Sequence, residues 1–282
     1  MNLQGAVVAV TGASAGIGRE CALAFAREGA RVAVSARRVD RLEAVAEAVR
    51  AMGSEAWVIA ADVADPEQVR RFVQGAVARF GRLDVLVNNA GYGVRGRVED
   101  TPLETYRRLM DVNYIGTVAG CQAAIPIMRR QGSGVIINVS SIVGHRALPT
   151  GGAYAATKAA QISLTEALRA ELKGSGVHAC SVHPIGTQTE FGEVADRESG
   201  TKAMGGPVGP QQSALEVAQA IVRCAERPAP RSFPIGRRAC WWGSTPWRPA
   251  SWTGGRPAPR ARRDGSERGN VTFIPVLERV EG

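Results

Sequence analysis

The sequence predicts a doubly wound α/β fold, in which helices cover both faces of a parallel sheet. Short runs that are apolar throughout alternate with helical patterns, which is typical of strands buried on both faces. A glycine-rich turn joins the first run to the first helix. Small or polar residues follow several strand ends, where ligands bind in folds of this class.

The predicted elements alternate along the chain. Each strand is a run of five to seven mostly apolar residues, and we expect strands over 6–11, 31–36, 55–60, 84–88, 134–140 and 177–182. Glycine follows the first two helices, and proline opens the third. The helices are expected over 16–28, 39–52, 66–80, 102–130, 153–173 and 213–226, the long one being bent with Pro126 near its end.

The pattern stops near residue 231, so we expect one domain over 1–235 and an irregular or disordered tail over 236–282. Four of the five tryptophans lie between 241 and 252, and glycine, proline and arginine dominate from 236 to 269. A change of reading frame in the gene is one explanation for this composition.

The composition argues against several classes of protein. Five scattered cysteines without C-x-x-C spacing do not predict a disulfide framework or a metal site, and they fit a reducing cytoplasm. No basic leader and no run of 18 apolar residues is visible, so we expect a cytoplasmic protein without a membrane partner. The net charge is +9, but residues 231–282 hold ten arginines and four acids. A nearly neutral body does not predict a nucleic-acid partner.

The turn Thr11-Gly12-Ala13-Ser14-Ala15-Gly16-Ile17-Gly18 follows the first strand and opens a helix. Glycines let the main chain approach a pyrophosphate, whose charge is favoured at a helix N-terminus. The alternative is a tight strand–helix connection without a ligand.

Three further strand ends carry candidate cofactor residues. An acid at the end of the second strand would bind the ribose of NAD, but Ala36 stands there and Arg37 follows, which favours the 2′-phosphate of NADP. Solvated arginines at a helix start are the alternative. Asp62-Val63 could receive the adenine, although Asp62 could instead cap a helix. Asn88-Asn89-Ala90-Gly91 could line the cleft or merely end a strand.

Tyr154 and Lys158 are four residues apart, on one face of a predicted helix. A nearby ammonium group favours the phenolate and lowers a tyrosine pKa toward neutrality, which suits a general acid or base. Ser141 ends the fifth strand, thirteen residues before the tyrosine. A chance pair on a helix surface is the alternative, and the nearby serine makes it the weaker one.

These motifs, with Asn113, resemble the short-chain dehydrogenase/reductase family from residue 3 to about 230. The resemblance implies a Rossmann fold and four catalytic residues: Ser141 binds the substrate oxygen, Tyr154 transfers the proton, Lys158 holds the nicotinamide ribose, and Asn113 holds a water of the proton relay. The family usually has Pro-Gly after the sixth strand, where this chain has Pro184-Ile185. The cofactor-binding set is then Gly12, Ser14, Ala15, Gly16, Ile17, Gly18, Arg37, Asp62, Val63, Asn89, Ala90, Gly91, Tyr154, Lys158, Pro184, Ile185, Thr187 and Thr189.

We therefore expect an NADP(H)-preferring oxidoreductase that interconverts a ketone or aldehyde and an alcohol by hydride transfer, as a homodimer or homotetramer. A non-catalytic NAD(P)-binding regulator of the same fold is the alternative. A nucleic-acid-binding protein and a sugar-nucleotide epimerase are weaker. The substrate pocket is expected along residues 92–97, 142–149 and 191–207. There His145 and Arg146 could meet an anionic substrate or be solvated loop residues.

Overall fold

The computed structural model describes residues 1–200, 211–232 and 234. Nine strands occur in this part of the chain. They are β1 (Val7–Thr11), β2 (Arg31–Ala36), β3 (Ala56–Ala60), β4 (Val85–Asn88), β5 (Gly134–Val139), β6 (Val177–Val182), β7 (Gly186–Gln188), β8 (Gln211–Ser213) and β9 (Arg231–Ser232).

Eight α-helices connect or follow these strands. They are α1 (Gly16–Arg27), α2 (Val39–Ala51), α3 (Pro66–Phe80), α4 (Leu103–Met110), α5 (Gly116–Gln131), α6 (Gly152–Glu171), α7 (Phe191–Ser199) and α8 (Ala214–Glu226). Two further turns of helix matter for the site: a π-helical turn over Asp111–Ile115 and a 3₁₀ turn over Ile142–Gly144.

Seven strands form one parallel sheet in the order β3-β2-β1-β4-β5-β6-β9. The chain moves outward from β1 through β2 to β3, then returns to place β4 on the other side of β1. The carboxyl ends of β1 and β4 therefore flank the point where the strand order reverses. This is where ligands bind in open parallel sheets.

Both faces of the sheet are covered, as the apolar strands predicted. Along β1, Val8 and Val10 pack into one core with residues of α1, α2 and α8. Val7 and Ala9 point the other way, into a second core with residues of α3, α5 and α6. Successive side chains of a strand alternate between its faces, so a strand with two buried faces must be apolar throughout. The doubly wound parallel sheet is confirmed.

The long predicted helix is interrupted. Its first part is α4 and its last part α5, and between them the five residues Asp111–Ile115 form the π turn, which includes Asn113. Pro126 lies inside α5. Such single π turns occur frequently at functional sites, and no glycine or proline in this segment marks the position in advance.

The structure adds elements between 183 and 213 that the periodicity did not predict. β7 pairs with β8 in a separate two-stranded parallel sheet, and α7 follows β7. Each is nine residues or shorter, too short for a clear apolar period. The predicted tail over 236–282 lies outside the described residues. Within the described part of the chain, no helix is long and apolar enough to cross a membrane.

Candidate active site

The glycine turn lies between β1 and α1 and exposes main-chain atoms to the cleft. Gly12 and Gly16 have φ angles of +68° and +53°, which strain any residue with a Cβ. A Cβ added at Gly18 would collide with the Gly12 carbonyl oxygen and lie 2.6 Å from Asn89 Nδ2. Ala15, the N-cap residue of α1, provides no side-chain hydrogen bond, and the first turn of the helix holds no acid. The positive end of α1 is thus left to attract an anion.

The chain after β4 forms the opposite wall of this cleft. Thr11 Oγ1 accepts hydrogen bonds from the main-chain N–H groups of Asn89 and Ala90, both at 3.1 Å, and Asn89 Nδ2 donates to the Thr11 carbonyl at 3.0 Å. A Cβ added at Gly91 would lie 3.6 Å from Lys158 Nζ. The segment Asn89 to Gly91 therefore connects the glycine turn with the predicted catalytic lysine.

Two arginines follow β2, and they differ in their contacts. Arg37 is exposed, and within the described residues it makes no ion pair or side-chain hydrogen bond. Arg38 donates to Ser14 Oγ at 3.1 Å and forms an ion pair with Glu190, whose other oxygen accepts from Arg41 at 2.8 Å. The hydrogen bond from Arg38 holds the pKa of Glu190 below its usual range. A carboxylate thus lies between two arginines beside the glycine turn.

The end of β3 corrects one alternative. Asp62 does not cap α3: its Oδ1 accepts from the Ala64 N–H at 3.0 Å and closes a local turn. The N-cap is Asp65, whose Oδ1 accepts from the Glu67 N–H at 2.9 Å. Val63 is 9% exposed and packs below the cleft. Contacts of Asp62 and Val63 with an adenine stay a prediction.

Ser141 and Pro184 follow neighbouring strands, β5 and β6. Ser141 Oγ donates to the Pro184 carbonyl at 3.3 Å and accepts from the Val143 N–H at 3.4 Å. The serine is in extended conformation and caps the 3₁₀ turn that follows β5. The hydroxyl is therefore held at the carboxyl edge of the sheet.

The segment after Pro184 runs back toward the glycine turn. Thr187 Oγ1 donates to the Ile185 carbonyl at 2.9 Å, which supports the main chain at the position where the family usually has glycine. A Cβ added at Gly16 would lie 3.0 Å from Thr189 Cγ2. Thr189 is thus brought to the glycine turn, and its contact with the cofactor stays a prediction.

Asn113 is fully buried in the π turn, and protein groups engage each of its polar groups. Its side chain accepts from the Tyr92 N–H at 3.0 Å and donates to the Tyr92 carbonyl at 2.9 Å and to Thr157 Oγ1 at 3.0 Å. Its carbonyl accepts from Thr117 Oγ1 at 2.9 Å and from Gln161 Nε2 at 2.7 Å. Both lone pairs of that carbonyl therefore have protein donors.

Tyr154 and Lys158 share one face of α6, as their spacing predicted. Lys158 is 3% exposed, and its Nζ donates to the Val139 carbonyl and to Gln161 Oε1, both at 2.9 Å. Nζ lies 5.6 Å from the centre of the Tyr154 ring. Burial lowers the pKa of Lys158 to about 7. Burial raises the pKa of Tyr154, while a hydrogen bond with Ser141 acts in the opposite direction.

The lowering of the Tyr154 pKa that we expected from Lys158 is not found in the protein alone. Desolvation of the phenol outweighs the other effects, and burial also lowers the pKa of Lys158 to about 7, which weakens its charge near neutrality. The expected lowering of the Tyr154 pKa is therefore wrong for this structure.

A cavity of about 160 Å³ opens beside the Tyr154 phenol. Its lining is mostly apolar, and Phe191 contacts the tyrosine with ring centres 5.3 Å apart. The polar exceptions include Arg95, which pairs with Asp196 of α7. All three predicted pocket segments contribute to the lining residues, which are Gly93, Val94, Arg95, Val143, Leu148, Pro149, Thr150, Gly151, Tyr154, Phe191 and Ala195.

His145 does not line this cavity. Its Nε2 lies 3.1 Å from His183 Nδ1, and the two ring centres are 4.6 Å apart. Partial burial lowers the pKa of His145, which disfavours the charged imidazole. Contact of His145 with an anionic substrate stays a prediction.

The residues present fit a dinucleotide. The glycine cradle would clash with added side chains, and α1 presents an uncapped N-terminus to it. Arg37 after β2 is exposed and makes no ion pair with another described residue. Each feature suits a phosphate group, and together they follow the carboxyl edge of the sheet. Among the described residues, no three His, Cys, Asp or Glu side chains lie close enough to hold a metal.

Sequence reasoning missed two functional candidates, Glu190 and Gln161. Nothing around Glu190 in the sequence relates it to Arg38, which lies 152 positions away. Gln161 did leave a signal: Tyr154, Lys158, Gln161 and Thr165 follow at intervals of four, three and four, which places all of them on one helix face. Two neutral polar residues continuing a buried face indicate a hydrogen-bond network.

Comparison with known proteins agrees with this geometry. The family model of the short chain dehydrogenases matches residues 6–199. An oxidoreductase of Thermotoga maritima is 41% identical over 191 residues, which cover 67% of this chain and 75% of that protein.

Two solved structures share the fold. An alcohol dehydrogenase of the archaeon Thermococcus sibiricus, complexed with 5-hydroxy-NADP, superposes with a TM-score of 0.71 at 31% identity, covering 82% of this chain and 96% of that one. A short chain dehydrogenase/reductase of Burkholderia phymatum, in complex with NAD, gives 0.77 at 25% identity, covering 85% and 92%.

The fold and site thus define an NAD(P)-dependent oxidoreductase. The chain belongs to the short-chain dehydrogenase/reductase family.

Proposed function

We propose that this oxidoreductase interconverts a ketone or aldehyde and an alcohol, prefers NADP(H), and uses Tyr154 as general acid and base. The main support is the position of the Tyr154 phenol. It lines an apolar cavity and lies one helical turn from buried Lys158, and the Ser141 hydroxyl opposes the rise of its pKa. A proton donor beside a second hydroxyl and a cation is the set of groups that carbonyl reduction needs.

The nicotinamide, when bound, supplies or accepts the hydride. In the reducing direction, the Tyr154 phenol donates its proton to the developing alkoxide, and Ser141 Oγ donates a hydrogen bond to the same oxygen. Because burial raises the pKa of Tyr154, the phenol is protonated at neutral pH and ready to donate. Lys158 has two of its three donors occupied within the described residues, which leaves one for the cofactor ribose.

The preference for NADP(H) is supported by the end of β2. Arg37 is exposed and lacks a partner among the described residues, and Arg38 already binds the carboxylate of Glu190 beside Ser14. No acid stands at the strand end to accept a ribose 2′-hydroxyl, since that position is Ala36. Two arginines at this edge favour a 2′-phosphate. Asp62, Val63, Pro184, Ile185, Thr187 and Thr189 keep the roles that the family resemblance implies.

The lining of the cavity supports the proposed substrate class. Val94, Val143, Leu148 and Phe191 make it mostly apolar, and Arg95 is neutralised by Asp196. A small carbonyl compound with an apolar body fits this lining better than an anion.

We also propose a homodimer or homotetramer, because Leu103 of α4 and Ile115 of the π turn expose apolar side chains at 72% and 37%. Light scattering after size exclusion tests the assembly.

Replacing Tyr154 with phenylalanine tests the catalytic proposal. Tyr154→Phe keeps the ring and removes the proton donor, so kcat on a carbonyl panel with NADPH should fall at least about 100-fold. The dissociation constant of NADPH, read by nicotinamide fluorescence, should change little. Tyr106→Phe removes a phenol that does not line the cavity and serves as the matched control. A Tyr154→Phe enzyme with the kcat of the parent would contradict the assignment.

A further inference from the structure

Gln161 lies at the centre of the buried polar network of α6. It is 0% exposed, and it follows Lys158 by three positions, so the two side chains project from the same helix face. Its Oε1 accepts from Lys158 Nζ at 2.9 Å. Its Nε2 donates to the Asn113 carbonyl at 2.7 Å and to Thr117 Oγ1 at 2.8 Å. Both donors and the acceptor of one amide are therefore used.

The chemistry of the neighbours fixes the orientation of this amide. Lys158 can only donate, and the Asn113 carbonyl can only accept. Turning the amide over would set NH₂ against the ammonium group and oxygen against the carbonyl, and the buried network would lose both bonds. Gln161 thus has one allowed orientation, and in that orientation it connects Lys158 to Asn113 directly.

The groups around Lys158 Nζ include few that could hold it besides Gln161. β5 contributes the Val139 carbonyl. α6 itself contributes Tyr154, whose ring centre lies 5.6 Å from Nζ and which is the titratable group facing it among the described residues. A Cβ added at Gly91 would lie 3.6 Å from Nζ, so the main chain there passes close to the lysine. Since no carboxylate among the described residues pairs with Nζ, the neutral oxygens of Val139 and Gln161 are what hold the ammonium group in place.

We propose that Gln161 is a positioning residue for catalysis, whose side-chain amide links Lys158 to the Asn113 carbonyl and takes the place of a water in that connection. The proposal rests on the proposed function of the site. Because both lone pairs of the Asn113 carbonyl already have protein donors, the link needs no ordered solvent. Hydrogen-bond acceptors favour the charged form of Lys158. Because burial lowers the pKa of Lys158 to about 7, these acceptors affect how much of the lysine is charged near neutral pH.

The titration of Lys158 tests this link without substrate or cofactor. The chain has three lysines, Lys158, Lys173 and Lys202, so a protein labelled with ¹³C at lysine Cε gives three NMR signals. The signal that disappears in Lys158→Arg is that of Lys158. Gln161→Met removes the acceptor at similar length and should lower the pKa of Lys158 by about 1–2. Gln161→Glu brings a carboxylate to the same place and should raise it by about 1–3.

Two controls separate positioning from general damage to the core. Thr165→Val removes a buried hydroxyl that donates to the main-chain carbonyl of Gln161 and accepts from Asn138 Nδ2. This hydroxyl does not contact Lys158. The substitution should lower Tm and leave the Lys158 titration unchanged. Exposed Lys173 is the internal reference in every spectrum. If Gln161→Met does not fold, the nearly isosteric Gln161→Glu still gives the measurement.

A Lys158 pKa within about 0.3 of the parent in Gln161→Glu, and in Gln161→Met where it folds, would overturn the proposal. An equal shift in Thr165→Val would overturn it too. In turnover assays, the alkaline limb of the pH profile of kcat should shift in the same direction as the Lys158 pKa. If no carbonyl compound is turned over by the parent, the proposed function fails, while the NMR titration still decides whether Gln161 positions Lys158.

Discussion

Lys158 should make the folded protein more stable as the pH rises from 6 to 9. The side chain is 3% exposed, and burial lowers its pKa from 10.5 to about 7, whereas in the unfolded chain it keeps the ordinary value. Between these two values the unfolded state binds more protons than the folded state. The free energy of unfolding therefore increases with pH across this window, and the change is complete only above the unfolded pKa.

The size of the effect follows from the two pKa values. At pH 6 both states carry the charge, and the folded state bears the full penalty, about 5 kcal/mol for a pKa difference of about 3.5. At pH 9 the folded lysine is neutral and most unfolded lysine is still charged, which leaves about 2 kcal/mol. Lys158 should thus add about 2–3 kcal/mol to the pH dependence of stability.

Urea unfolding at pH 6 and pH 9 measures this contribution. The parent should gain about 2–3 kcal/mol more than Lys158→Met between the two pH values, since the variant lacks the titrating group. Lys173→Met, which removes an exposed lysine, should follow the parent. Equal gains in the parent and in Lys158→Met would refute the reasoning, because they would mean that the buried ammonium keeps an ordinary pKa.

Two further predictions concern the cofactor edge. Arg37→Ala should weaken NADPH binding about ten- to hundredfold, the effect of losing a charge-assisted contact, and leave the NADH dissociation constant unchanged; equal affinities of the parent for both cofactors would count against it. Glu190→Gln removes the carboxylate that competes for Arg38 and Arg41, so NADPH should bind about two- to fivefold more tightly and NADH as before. An unchanged NADPH affinity in Glu190→Gln would show that this ion pair does not oppose cofactor binding.

Periodicity and strand-end chemistry were sufficient to predict the sheet and most of the site. A strand buried on both faces must be apolar throughout, so the runs around Val7–Thr11 and Val85–Asn88 can be recognised as strands from the sequence. Once the strands are parallel, residues at their carboxyl ends must share one edge. This brings the glycine turn, Asn89 and Ser141 together without any tertiary information.

The same reasoning could not predict contacts that depend on irregular main chain. The π turn at Asn113 shifts the register of a continuous helix by one residue, and no breaker marks it in the sequence. α7 and the β7–β8 pair are too short for a period, so Phe191 could be placed in a pocket segment but not against Tyr154. The contact of Glu190 with Arg38 could not be predicted at all. Such positions follow from long-range packing.

The electrostatics of Tyr154 and Lys158 show why spacing alone does not determine chemistry. Four residues of helix place the two side chains on one face, and from that we expected the ammonium to lower the tyrosine pKa. Spacing does not report burial, however, and burial opposes charge on both groups: it raises the pKa of Tyr154 and lowers that of Lys158 to about 7. A lysine with so low a pKa is less fully charged near pH 7, so its field at the phenol is weakened. The acceptors that favour the charged lysine, the Val139 carbonyl and the Gln161 amide, therefore also act on the tyrosine through Lys158.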